Sequence, residues 1–243
     1  MSQQRLQRER LLHHAADVLE VAGRLGRVML TASGGGATHE RMGPVDRIER
    51  SGLALRLAGV AHDADIDTTG LGAVILDRSG RMKDKVLPRL DFHGKDGGVR
   101  FSLVGLDGLE PFDAGIAGLR GMAAEAAEPV EPAARAEVAE GDPGAIPFEV
   151  ARCAGVPVTI ELRRDGLRQA WSGSVEAVKP AMGFINVMQP DFHLHLRAGA
   201  VGRWRLRADR AGLDGVELLA ENARGELIGL AVRGPAAVLA RRD

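Results

Sequence analysis

Apolar side chains recur at every second position through much of this chain, and that period leaves little choice of secondary structure. Leu53, Leu55 and Leu57, then Leu90 and Phe92, then Val99, Phe101 and Leu103, and later Val158, Ile160 and Leu162 each alternate with polar or small residues. Successive side chains of an extended strand point to opposite faces, so such a run buries one face and wets the other. The turn His93-Gly94-Lys95-Asp96-Gly97 between two of these runs predicts a hairpin. Strand signals also mark Val28 to Leu30, Val45 and Ile48, Val175 and Val178, Trp204 and Leu206, Val216 and Leu218, and Leu227 to Leu230. Only near the start does the spacing become helical. Leu11, Leu12, Ala15, Val18, Leu19 and Ala22, with Gly23 as a stop, predict one amphipathic helix from about Arg8 to Leu25.

The strand-rich chain divides where its large apolar residues run out. Residues 121–147 are dominated by Ala, Glu, Pro and Gly and predict a linker. It separates a first half, residues 1–120 with the helix, from a second, residues 148–243. The halves also look related. An offset of 130 pairs Val28 with Val158, Gly36 with Gly166, Gly43 with Gly173 and Val45 with Val175, and an offset of 128 pairs Gly97 with Gly225 and Val99 with Leu227. The expected fold is α+β, two related and mostly antiparallel sheet halves with a helix at the N-terminus.

Composition removes several classes of function. Thirty-two basic residues against thirty-three acidic ones give a net charge of −1, so no bulk basic field exists for nucleic acid. The lone Cys153 excludes an internal disulfide framework and reads as a small buried hydrophobe. The charged start, Gln4, Arg5, Arg8, Glu9 and Arg10, lacks the apolar core of a signal peptide, and no apolar run approaches the roughly 20 residues of a membrane span. A cytoplasmic protein without membrane insertion is expected. The glycines at 34–36 lack the Gly-Lys-Ser/Thr ending of a phosphate loop, and no Gly-x-Ser-x-Gly, His-Glu-x-x-His or Cys-x-x-Cys motif occurs.

The most specific segment is Phe184-Ile185-Asn186-Val187-Met188-Gln189-Pro190-Asp191-Phe192-His193-Leu194-His195-Leu196-Arg197. It resembles the hallmark strand pair of the HemS/ChuX-like haem-utilisation family, the hemin-degrading factors. Further segments resemble that family in the same order. They are Thr38-His39-Glu40-Arg41-Met42-Gly43, Asp65-Ile66-Asp67, the hairpin from Phe92 to Leu103, Gln169-Ala170-Trp171-Ser172-Gly173, and Trp204 followed by Gly215-Val216-Glu217-Leu218. The resemblance implies paired, twisted antiparallel sheets and a haem-binding protein of iron acquisition that carries or delivers haem, with ring degradation in some members. It implies haem or a related tetrapyrrole as ligand, and a haem importer or haem-degrading protein as partner. Nothing in the residues sets the oligomeric state. Two departures stand out. The family's axial histidine, on a helix ahead of the second half, falls here on the histidine-free Phe148-Glu149-Val150-Ala151-Arg152, and its distal-side arginine falls on Thr69.

A haem site needs apolar walls, an axial donor, and cations or N–H groups for the propionates. The resemblance offers His39, Arg41, Trp171 and His195 for such a site. His39 reads either as a candidate iron ligand, with Arg41 on a propionate, or as a pin at a strand end. His193 and His195, two apart on one strand, share a face, which suits joint metal ligation and equally suits packing. Trp171 supplies an apolar body to the second half. His62 and His93 fall in apparent turns, and Asp63, Asp65 and Asp67 read as a solvated acidic turn or a cation cluster. Two further readings stay open: a non-catalytic scaffold or sensor module that has lost haem ligands, and a non-haem metal protein using His193 and His195.

Overall fold

The computed structural model describes residues 7–125, 136–208 and 215–240, which form two compact units. One unit takes residues 7–32, 41–125 and 165–167, and the other takes 33–40, 136–164, 168–208 and 215–240. In chain order the elements are β1 (Arg8–Leu11), α1 (Ala15–Leu19), β2 (Arg27–Gly34), β3 (Ala37–Pro44), β4 (Arg47–Ser51), β5 (Ala54–Ala58), β6 (Asp63–Asp67) and β7 (Leu71–Asp77). The short pair β8 (Arg81–Met82) and β9 (Lys85–Val86) leads to β10 (Arg89–Gly94), β11 (Val99–Gly105), α2 (Leu109–Gly115) and β12 (Gly121–Ala123). Next come α3 (Ile146–Ala154), β13 (Pro157–Arg164), β14 (Leu167–Ser174), β15 (Val178–Ala181), β16 (Phe184–Gln189) and β17 (Phe192–Arg197). The last elements are β18 (Arg203–Ala208), β19 (Gly215–Glu221), β20 (Leu227–Pro235) and α4 (Ala236–Leu239). The fold is mostly antiparallel sheet with few helices, as the period-two pattern requires. The core of the predicted linker, residues 126–135, lies outside the described residues.

The internal repeat is written into the element boundaries. β13 and β14 begin and end 130 residues after β2 and β3, and β20 starts 128 residues after β11. In the first unit the strand order is β12-β1-β7-β10-β11-β2, with β6-β5-β4 as a second group. Its core holds Leu19, Leu30, Leu76, Leu90, Phe92, Phe101 and Phe112, all at 2 % exposure or less, with Phe92 and Phe101 stacked at 4.5 Å. In the second unit β18-β19-β20-β13-β14 form one group, while the start of β3 pairs β17, which is joined in turn by β16 and β15. Phe148 of α3 is buried and meets Trp204 edge-on at 6.1 Å.

Two local expectations are corrected. The helix expected from Arg8 begins only at Ala15, capped by the His14 ring, which accepts from the Ala16 N–H at 3.2 Å. Arg8–Leu11 is instead a strand between β7 and β12, because two ladders of backbone hydrogen bonds outweigh a local helical pattern four residues long. Cys153, expected to be buried, is exposed on α3.

The polar face of the second unit is held by ion pairs around buried carboxylates. Glu161 has no exposed side-chain surface and pairs with Arg163, Arg168 (2.9 Å) and Arg233. Glu217 pairs with Arg163 at 3.1 Å and Arg233 at 3.2 Å, as well as with Arg207. The arginines keep 23–41 % of their surface exposed, so what a lost partner strands is the buried carboxylate, at a cost of about 3–5 kcal/mol. Arg233→Ala, which takes a partner from both Glu161 and Glu217, should therefore lower unfolding stability by up to about that amount in urea titrations, whereas Arg47→Ala, paired with the exposed Glu49, should cost under about 1 kcal/mol.

Burial tends to raise the carboxyl pKa of Glu217 and of Asp77, but both are held below their ordinary values of 4.5 and 3.8. Arg207, Arg163 and Arg233 do this for Glu217, and Ser79, Arg89 and Arg8 for Asp77. A depressed folded pKa contributes stability that is complete above the unfolded value and is lost as pH falls through the folded one. Thermal unfolding midpoints should accordingly be flat above about pH 5 and decline progressively below it, and Glu217→Gln should flatten part of that decline.

Candidate functional site

The β16/β17 pair places the distinctive histidines. On β17 the alternation is strict: Phe192, Leu194 and Leu196 are fully buried, so His193, His195 and Arg197 take the opposite face. Register extends that face to the neighbouring strands. Asn186 lies opposite His195, Met188 opposite His193, Phe184 opposite Arg197, and Lys179 of β15 opposite Asn186. From β3 the Glu40 carboxylate joins them, with Oε2 3.5 Å from His193 Nδ1 and 3.8 Å from His195 Nε2. These three side chains keep 16–30 % of their surface exposed, so the group is reachable from solvent. Burial alone would raise the Glu40 carboxyl, but the two imidazoles outweigh it and hold it at about 2.

Asn186 decides which nitrogen of His195 is available. Its Nδ2 donates to the carbonyls of Lys179 (3.0 Å), Phe184 (3.0 Å) and Ala181 (3.3 Å), which fixes Oδ1 as the amide's acceptor end. His195 Nδ1, 2.6 Å from that oxygen, must then carry a hydrogen and donate it. In the neutral ring the lone pair is left on Nε2, the atom facing Glu40. Phe184 meets the His195 ring edge-on at 6.3 Å.

The other expected site residues are placed differently. His39 sits on β3 next to Glu40 but points to the opposite, buried face, with no exposed surface. Its Nε2–H donates to the Ile160 carbonyl at 3.2 Å, and its Nδ1 accepts from Gln169 Nε2 at 2.7 Å, while the same amide nitrogen also donates to the His39 carbonyl. A ring so engaged offers iron no lone pair, and the geometry supports the strand-pinning alternative. Arg41 is buried in the first unit, where it donates to the carbonyls of Ala61 (2.7 Å) and Val60 (3.2 Å). Trp171 is packed rather than open: it stacks on Phe192 at 4.7 Å and 11°, with Nε1 donating to Asp191 at 3.3 Å.

The remaining titratable groups named by the sequence have structural work. His62, read from the sequence as lying in a turn, is buried with Nε2 donating to the Gly43 carbonyl at 3.0 Å. Asp63 and Asp65 lie on β6 and flank Arg56 at 2.9 and 2.8 Å, and Asp67 caps the turn at Thr69. Glu40 and Asn186 were not legible in the sequence as partners of His195. Glu40 was visible only as the neighbour of His39, and the adjacency of β3 to β17 that brings it to the histidines is not a local property.

The α3 helix, where the resemblance expected an axial histidine, carries none. It instead borders a cavity of about 440 Å³ lined by Ile146, Val150, Cys153, Leu218, Val238 and Leu239.

If Asn186 fixes the tautomer, Asn186→Leu should release it. Two-dimensional ¹⁵N spectra of the imidazoles should show His195 as the Nδ1–H form in the wild type and as a mixture in the variant. Loss of the three carbonyl contacts should cost about 1–3 kcal/mol as well. His39→Ala should be the more destabilising change, by about 2–4 kcal/mol, because it empties a fully buried ring position and removes the ring's hydrogen bonds to Ile160 and Gln169.

No protein-family model matches the sequence, and no curated protein matches it. Solved structures do. A haem-bound PhuS, a haem-binding protein from Pseudomonas aeruginosa, is 18 % identical with a TM-score of 0.75 over 98 % of this chain and 82 % of its own. ChuS, an Escherichia coli haem oxygenase, is 15 % identical with a TM-score of 0.74 over 98 % of this chain and 84 % of its own. A second structure of ChuS, described as a haem-degrading enzyme of Escherichia coli O157:H7, gives a TM-score of 0.76 at 15 % identity over 98 % of this chain and 82 % of its own. The chain has the fold of PhuS and ChuS.

Proposed function

We propose that this protein binds haem, or a closely related tetrapyrrole, on the β15–β17 face of its second unit and carries it to a partner. The observation that carries the reading is the His195 ring, 30 % exposed, with Nδ1 held by Asn186 and, in the neutral ring, the lone pair left on Nε2 beside Glu40. The surroundings meet the other needs of a macrocycle. Phe184 and the half-exposed Met188 offer apolar surface on the same face, and the exposed Lys179 and Arg197 offer cations for carboxylates. PhuS and ChuS, proteins described as haem-binding and haem-degrading, share the scaffold and so support the ligand class. Bound haem would supply its iron and its delocalised ring, while the chain would supply one imidazole, orientation and charge pairing. Ring opening needs an open iron position and an electron donor, and the residues present fix neither, so carriage is the simpler assignment. The cytoplasm is the proposed compartment. Among the described residues no helix is long and apolar enough to cross a membrane.

Titration of the haem-free protein with hemin tests this. A saturable Soret shift at one equivalent is expected, lost in His195→Ala and retained in His39→Ala under conditions where that variant stays folded. No shift in the wild type would instead favour a scaffold or sensor module that has given up its ligand.

A further inference from the structure

The Glu40, His193 and His195 side chains do more than offer a single axial nitrogen. One ligand atom from each converges so that all three lie within 4.8 Å of one another. Two imidazoles and one carboxylate on one side of an ion, with the other side open, is the facial donor set of divalent first-row metals such as Fe²⁺, Co²⁺ and Zn²⁺. From these residues we propose a second binding function: a divalent transition-metal site on the haem-free protein, formed by Glu40 Oε2, His193 Nδ1 and His195 Nε2.

Four observations carry this. The spacing is close to metal geometry, since ligands about 2.0–2.2 Å from an ion sit about 3–4 Å apart, Glu40 Oε2 lies 3.5 and 3.8 Å from the two imidazole nitrogens, and the three ligand atoms are within 4.8 Å of one another. The donors are mounted on rigid, adjacent strands, with the two histidines at alternate positions of β17. His195 already has the outer support that ligating histidines show, its second nitrogen held by a fixed acceptor, the Asn186 carbonyl at 2.6 Å. The internal repeat supplies the contrast. At the offset of 130 residues, Asn186, His193 and His195 correspond to Arg56, Asp63 and Asp65, and there the guanidinium lies between the two carboxylates. The first repeat thus carries its own cation at these positions, while the second presents donors that an external cation would join.

This site does not depend on the haem assignment, although an ion and a haem would claim the same His195 lone pair and exclude one another. The test uses the full-length, haem-free protein and Co²⁺ alone. Visible d–d bands should grow to saturation at one equivalent and be displaced by Zn²⁺. Glu40→Gln and His193→Ala should each weaken Co²⁺ binding at least tenfold, and Asn186→Leu about tenfold. Circular dichroism identical to wild type should accompany the loss in at least one of the first two variants. Absence of d–d bands in the folded wild type would overturn the site, as would a folded Glu40→Gln protein that binds Co²⁺ as tightly as wild type. The readout contains no hemin, so it stands or falls separately from the Soret titration.

Discussion

The alternation along β17 governs most of the second unit's organisation. Phe192, Leu194 and Leu196 are fully buried, and a one-residue slip would expose all three while burying His193, His195 and Arg197. Burial of a large apolar side chain is worth about 1.5–3 kcal/mol, so three of them fix the register firmly. The histidines are thereby held on the opposite face without any stabilising interaction of their own being needed. Phe192 also anchors the buried side, stacking on Trp171 and meeting His39 at a ring separation of 4.8 Å. The same strand therefore ties the core to the polar face.

That arrangement explains why two neighbouring residues on β3 have opposite fates. His39 and Glu40 are adjacent in sequence, and a strand sends them to opposite sides. His39 becomes an internal strut between Ile160 and Gln169, its two nitrogens matched to an acceptor and a donor. Glu40 faces the imidazoles of β17. Gln169 stands 130 residues after His39, so the strut is built from equivalent positions of the two repeats. The repeat has been kept as scaffold and diverged in its polar groups, with an arginine flanked by aspartates in one copy and an amide with two histidines in the other.

Much of this was legible without coordinates. The period of two named β5, β10, β11 and β13, the offset of 130 located the repeat, and the segment from Phe184 to Arg197 marked the strand pair with the useful histidines. Failures came where the deciding force was not local. The strand at Arg8–Leu11 exists because two partners are available to it, and His62 is buried because the Gly43 carbonyl is near enough to receive its N–H. His39 was singled out by its motif, but a motif does not say which side of a strand is closed.

The chain alone determined its alternation, its duplication and the shared face of His193 and His195, because these properties arise from residue order and the geometry of an extended backbone. Tertiary structure decided which of its polar residues are available for chemistry. Placing β3 beside β17 gave the histidines a carboxylate, and Asn186, oriented by three backbone carbonyls, gave His195 its tautomer. Contacts between residues far apart in sequence are set by strand order and by the matching of buried donors to acceptors, neither of which a local pattern encodes.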